Sequence, residues 1–147
     1  MKKILVIEDD PEQKKIAREV IESAKHYCYV AEDLHEAMLL LTGGDILDSK
    51  RSHEAEVKWD GVITDIHFPL ITGSKGPDGK AEPRGVEIMA LCQKMGIPCV
   101  VCTDMDHHYT NWINRLMPYF NSDLVADKGN GARAWERALE KLLAKIE

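Results

Sequence analysis

The chain has 147 residues, a length that suits one domain built on one core. Hydrophobic residues make up 44% of it and charged residues 30%, enough for a core and a water-facing surface, and no run approaches the roughly 20 apolar residues of a membrane span. The net charge of -6 argues against non-specific binding to nucleic acid, which needs a basic face to displace counterions.

Two lysines open the chain, but the apolar run after them ends at Glu8, too soon for the core of a signal peptide. The expectation is a cytoplasmic protein whose Cys28, Cys92, Cys99 and Cys102 are free thiols. Cys99 and Cys102 have C-x-x-C spacing, yet they lie in an apolar run with Val100 and Val101, which favours a buried structural role over redox or metal chemistry.

In chain order, residues 4–7 form a continuous β-branched and Leu run, as in a strand covered on both faces. Pro11 suits the first turn of a helix with an acidic cap before it, and Ile16, Ala17, Val20, Ile21 and Ala24 recur at helical spacing. Residues 26–31 read as a second, more polar strand near a sheet edge. Asp33 can cap a helix through Ala37, Met38, Leu40 and Leu41 that stops at Thr42-Gly43-Gly44. A polar stretch of about residues 43–58 follows, long for a connection in a compact domain. Residues 59–65 are the central strand. Residues 70–84 then hold Gly73, Gly76, Pro77, Gly79 and Pro83, a loop by composition. Its glycine spacing invites a phosphate-loop reading, but Gly79-Lys80 is followed by Ala81 rather than Ser or Thr, so a turn-rich insertion is the better reading.

A helix through Val86, Met89, Ala90 and Cys92 ends at Gly96, and residues 97–102 form a fourth strand. Asp104 or Asp106 opens a helix with Tyr109, Trp112, Ile113 and Leu116, ending near Pro118. A short strand at residues 122–126 precedes a turn at Lys128-Gly129-Asn130-Gly131. The last helix sets Ala132, Trp135, Ala138, Leu139, Leu142, Leu143 and Ile146 on one face. Five strands alternating with five helices argue an α/β fold, a parallel sheet with helices on both faces, in a single domain with two insertions.

Ligands collect outside the carboxyl ends of parallel strands, and the acids lie there. Glu8 and Asp9 follow the first strand and Asp65 ends the third, which would place several carboxylates in one crevice. Such charges repel unless neutralised, and a hard cation with oxygen ligands, magnesium above all, does so. The competing reading is that Glu8 and Asp10 only cap the helix at Pro11. A carboxylate beside magnesium can also accept a phosphoryl group, a task that needs a further cation and a hydroxyl donor. Lys128 and Thr103 are the candidates, both at strand ends, although each alone would pass for a solvated lysine and a capping threonine.

Together, Ile4 to Pro11 (Ile-Leu-Val-Ile-Glu-Asp-Asp-Pro), Asp65 to Pro69 (Asp-x-x-x-Pro), Thr103 and Lys128 resemble the receiver domain of two-component response regulators, in the right order over essentially the whole chain. The resemblance implies a flavodoxin-like (βα)5 three-layer sandwich with strand order 2-1-3-4-5. It implies that Asp65 is the phosphoacceptor, that Asp9 binds Mg2+ directly and Glu8 through water, and that the backbone carbonyl of His67 completes the metal site. Thr103 would sense the phosphoryl group and Lys128 would pair with it. The donor would be a phosphohistidine on a sensor histidine kinase or histidine phosphotransfer protein. Output would be contact with another protein, with no direct nucleic-acid partner, no membrane and no domain after the last helix.

Three positions depart from the family. Gly129 follows Lys128 where proline is usual, so a trans bond is expected. Val125 stands where an aromatic residue usually swings inward, so the usual Thr-aromatic switch cannot operate. Asp104 follows Thr103 where a small residue is common; its charge would either repel an incoming phosphoryl group or point to solvent as a helix cap, and the cap is the expectation. The second insertion, beside the site, is expected to act as a lid or docking loop. His107 and His108 are adjacent, point to different faces of a helix and cannot easily share a metal.

Two other readings stand beside the receiver. One is a receiver-like binding module whose output does not depend on phosphorylation, favoured by Val125 and Gly129. The other is an enzyme proper, a magnesium-dependent phosphatase of the haloacid dehalogenase type, which needs an Asp-x-Asp pair where this chain has Asp65-Ile66-His67. The receiver reading, in which the only chemistry is the domain's own phosphotransfer and dephosphorylation, is the expectation.

Overall fold

The computed structural model describes residues 1–48, 50, 55, 57–104 and 110–147, with the backbone alone at 110 and 111. Five strands, β1 (Lys3–Ile7), β2 (Tyr27–Ala31), β3 (Gly61–Thr64), β4 (Cys99–Cys102) and β5 (Ser122–Val125), form one parallel sheet in the order β2-β1-β3-β4-β5. The helices are α1 (Pro11–Ser23), α2 (Leu34–Thr42), α3 (Gly85–Met95), α4 (Thr110–Leu116) and α5 (Ala132–Ile146). The expected flavodoxin-like order is the observed one, and β2 is an edge strand.

Alternate residues of a strand face opposite sides, so each strand feeds two cores. Leu5 and Ile7 of β1 join Leu34, Leu41, Ile88, Met89 and Ile113 on one face. Ile4 and Val6 join Ala17, Ile21, Trp135, Ala138 and Leu142 on the other. These two cores divide Cys99 from Cys102, three residues apart and therefore on opposite faces. Both are buried free thiols, and burial pushes Cys102 up to about 12.

Local chemistry sets the helix ends. Asp10 caps α1 by accepting from Glu12 N and Gln13 N, with Pro11 already holding a helical φ. Gly43 and Gly96 end α2 and α3 in the left-handed conformation. On α5 the buried set is Ala134, Trp135, Ala138, Leu139 and Leu142, while Ala132 is exposed, one register earlier than its place on the expected apolar face. Asp104 pairs with Asp127 in an isolated antiparallel bridge, and residues 105–109, toward which its expected cap would act, lie outside the described residues. Asp106, His107, His108 and Tyr109 lie outside the described residues.

The second insertion is pinned along its length. Phe68 and Glu82 exchange two backbone hydrogen bonds of 3.2 Å, and Ile71 N donates to Asp78 O at 3.1 Å. Residues Pro77–Gly79 form a 3-10 turn in which a Cβ on Gly79 would sit 1.9 Å from the Ser74 carbonyl oxygen. Close backbone approach therefore explains this glycine without a phosphate ligand.

Candidate functional site

Glu8 and Asp65 emerge side by side because their strands pair. Asp65 N donates to Ile7 O and Glu8 N to Ala31 O, both at 2.9 Å, so the ladders of β3 and β1 run one residue past the strands and end in carboxylates. Glu8 is fully buried and Asp65 nearly so. Asp9, half-buried, lies next to them. Oxygens of Glu8, Asp9 and Asp65 all fall within 4.8 Å of one another, the one such acidic group among the described residues.

Lys128 reaches this group from the far side of the sheet. Its backbone N donates to Thr103 O at 3.3 Å, and it opens a 3-10 turn (Lys128–Asn130) that aims the side chain inward. The Nζ donates to Glu8 Oε1 at 2.5 Å and to Asp65 Oδ2 at 2.7 Å, with all three side chains buried. The remaining acceptors are met by backbone: Asp65 Oδ1 takes Ile66 N at 2.7 Å, and Glu8 Oε2 takes Asp9 N at 3.0 Å and Asp10 N at 3.3 Å. Glu8 is thus more than a helix cap, whereas Asp10 is the cap.

The electrostatics follow from that geometry. Burial and then the charge of Asp65 push Glu8 up to about 7, although Lys128 pulls the other way. Burial and Asp65 also raise Asp9. Burial alone would lower Lys128, but Asp65 and Glu8 more than reverse this and hold it above the ordinary lysine range. With all groups ionised, three carboxylates and one ammonium leave an excess of two negative charges. An oxygen-only donor set with that excess, partly open through Asp9, fits a hard divalent cation such as Mg2+.

Thr103 is buried at the end of β4, its N donating to Val125 O at 2.9 Å. His67 follows Asp65 and Ile66 on the segment leading into the second insertion. Val125 is packed in the core shared with α1 and α5, and no cis peptide occurs among the described residues, Gly129 included. A Cβ at Gly129 would meet Asp104 Oδ1 at 3.5 Å, an ordinary contact. Glycine at 85 is needed: a Cβ there would lie 2.3 Å from the carbonyl oxygen of Asp65, so α3 starts hard against the site.

The sequence marked Asp33 only as a cap on α2. The structure gives it two partners: Oδ1 accepts from Glu36 N at 2.7 Å and Oδ2 from Thr72 N at 2.8 Å, across 39 residues of chain. No spacing rule links these positions.

No protein-family model and no curated protein matches the chain. Solved structures do match, over nearly their whole length. A non-phosphorylated receiver domain of HemR from Leptospira biflexa is 17% identical with a TM-score of 0.67, covering 98% of this chain and 95% of that one. A Francisella response regulator receiver domain is 18% identical with a TM-score of 0.63, covering 99% and 97%. The response regulator TrrA from Thermotoga maritima, in complex with Mg(2+)-BeF, is 18% identical with a TM-score of 0.59, covering 100% of both chains. At these identities the likeness is one of fold, and the fold is that of a receiver domain.

Proposed function

We propose, on the premise of that fold, that the chain is a phosphoacceptor of two-component signalling, with Asp65 taking a phosphoryl group from a phosphohistidine of a sensor histidine kinase or histidine phosphotransfer protein. The observation that carries this is the buried Lys128 bridge between Glu8 and Asp65, beside an acidic group fit for a divalent cation. Desolvating these charges is costly, and clusters of buried, perturbed ionisable groups mark functional sites.

An Asp65 carboxylate oxygen attacks phosphorus as the phosphorus–nitrogen bond of the donor breaks, and the leaving imidazole takes up a proton from solvent. Lys128 neutralises charge on the incoming phosphoryl oxygens and orients Asp65. Thr103, at the adjoining strand end, supplies a hydroxyl donor to the same group. Glu8, Asp9, Asp65 and the His67 carbonyl would hold Mg2+, which when bound offsets the charge on the phosphoryl oxygens. The chemistry stops at self-catalysed phosphotransfer and dephosphorylation, so the chain is a signalling element rather than an enzyme, working in the cytoplasm through an output protein. Among the described residues no helix is long and apolar enough to cross a membrane.

Incubation with a small phosphodonor and Mg2+, read by intact mass, tests this. A gain of one phosphoryl group is expected, absent in Asp65→Asn and in chelator. No gain in a wild type that binds Mg2+ favours the second reading, a phosphorylation-independent binding module. The specific observation on that side is Val125, whose side chain is core packing and not a rotating aromatic.

A further inference from the structure

The first turn of a helix leaves backbone N–H groups without partners inside the helix. In α2 two of these groups are met by the segment that leads into the second insertion. Leu34 N donates to Pro69 O at 3.1 Å and His35 N to Leu70 O at 3.0 Å, while Glu36 N goes to Asp33 Oδ1. Asp33, itself buried, returns the contact by taking Thr72 N on its other oxygen. Helix and insertion therefore cap each other.

This clamp bears on one short stretch. Ile66 O accepts from Gly85 N at 2.8 Å, Phe68 is bridged to Glu82, Pro69 and Leu70 accept from α2, and Thr72 donates to Asp33. His67 sits inside this run, fixed on both sides. We propose that Asp33 is a positioning residue of the acidic site: by joining Thr72 to the first turn of α2 it helps to fix the backbone from Ile66 to Thr72, and with it His67, whose carbonyl would be a ligand in the metal reading above.

The inference rests on the metal reading given above. It assigns the insertion a structural part in the site, and it ties the cation to α2. His35 extends the tie further, since its Nε2 lies 3.0 Å from Asp45 Oδ1 in the first insertion. A backbone carbonyl is a neutral ligand whose worth depends on its aim; groups that hold a ligand in place tune metal affinity, and Asp33 would do so through the backbone between His67 and Thr72 rather than by touching the ligand.

The test separates the cap from the clamp. Asp33→Ser keeps one short side-chain oxygen, enough to cap Glu36 N but not to reach Thr72 N as well. Asp33→Asn keeps the size and one acceptor but turns an amide NH2 toward one of the two donors. MgCl2 is titrated calorimetrically into the wild type and both variants, with amide hydrogen exchange at Thr72, Leu34 and His35 and the thermal midpoint measured alongside. The expected result is Mg2+ binding weakened about tenfold in both variants, with faster exchange at Thr72 and a thermal midpoint within a few degrees of wild type. Unchanged Mg2+ affinity in the folded variants overturns the role of Asp33, whatever happens to Thr72. A wild type that binds no Mg2+ overturns the metal reading itself, and the inference with it.

Discussion

Relative to the wild type, Glu8→Gln should gain stability in the metal-free protein as the pH rises from 5 to 8. Glu8 is fully buried, and burial together with Asp65 lifts it from 4.5 to about 7. For an acid raised in the folded state the sign is definite. Below pH 4.5 the group is protonated in both folded and unfolded chains and costs nothing. Between 4.5 and 7 the unfolded chain releases the proton and the folded one retains it, so stability falls. Above 7 the cost is complete. At about 1.4 kcal/mol per pH unit it reaches about 3 kcal/mol at pH 8 and stays under about 1 kcal/mol at pH 5. Glutamine has the same shape, can still accept from Lys128, and carries no charge to titrate; its NH2 group replaces the oxygen that accepts from Asp9 N and Asp10 N, a cost that does not vary with pH. Lys128 keeps Asp65 at 2.7 Å. Urea unfolding in chelator at pH 5, 6, 7 and 8 measures the difference between the two proteins. It should grow by about 2 kcal/mol from pH 5 to pH 8. A difference independent of pH, or one that shifts toward the wild type as pH rises, would refute the assignment of burial as the dominant influence on Glu8.

The same proton competes with the cation, so Mg2+ affinity should rise about tenfold between pH 6 and pH 8, as calorimetry would show; a flat profile removes Glu8 from the metal site. Gly85→Ala drives a Cβ into the Asp65 carbonyl, which backbone must absorb, and should cost about 2–3 kcal/mol in urea unfolding. Gly61→Ala meets only the end of the Leu142 side chain at 2.8 Å and should cost less, about 1 kcal/mol. Lys25 holds a φ of 67°, so Lys25→Gly should stabilise by about 0.5–1 kcal/mol, read as a higher thermal midpoint. Burial pushes Cys28 and Cys102 up to about 12, and a thiol reagent at pH 8 should modify them only after denaturation.

Much of the fold was legible because its signals are local. The continuous run of residues 4–7, the cap at Asp10, and the glycines at 43 and 96 each act within a few residues of themselves, and each element formed where they placed it. The bridge between Asp104 and Asp127 is non-local, and no local pattern encodes it. On α5 the expected face included Ala132 and omitted Ala134, because alanine adds too little to a helical pattern to fix its register.

The site divides along the same line. Sequence alone determined that Glu8, Asp9, Asp65, Thr103 and Lys128 stand at strand ends, since an apolar run that stops at a polar residue is a one-dimensional signal. Only the tertiary structure decided that Lys128 spans Glu8 and Asp65 across 120 and 63 residues of chain, that Glu8 is the most deeply buried of the acids, and that Asp33 binds the second insertion to α2. Strand pairing and burial create those relations. Charges that would ignore each other in an extended, solvated chain lie within 3 Å in a medium of low dielectric, and there their proton affinities and their chemistry become properties of the group.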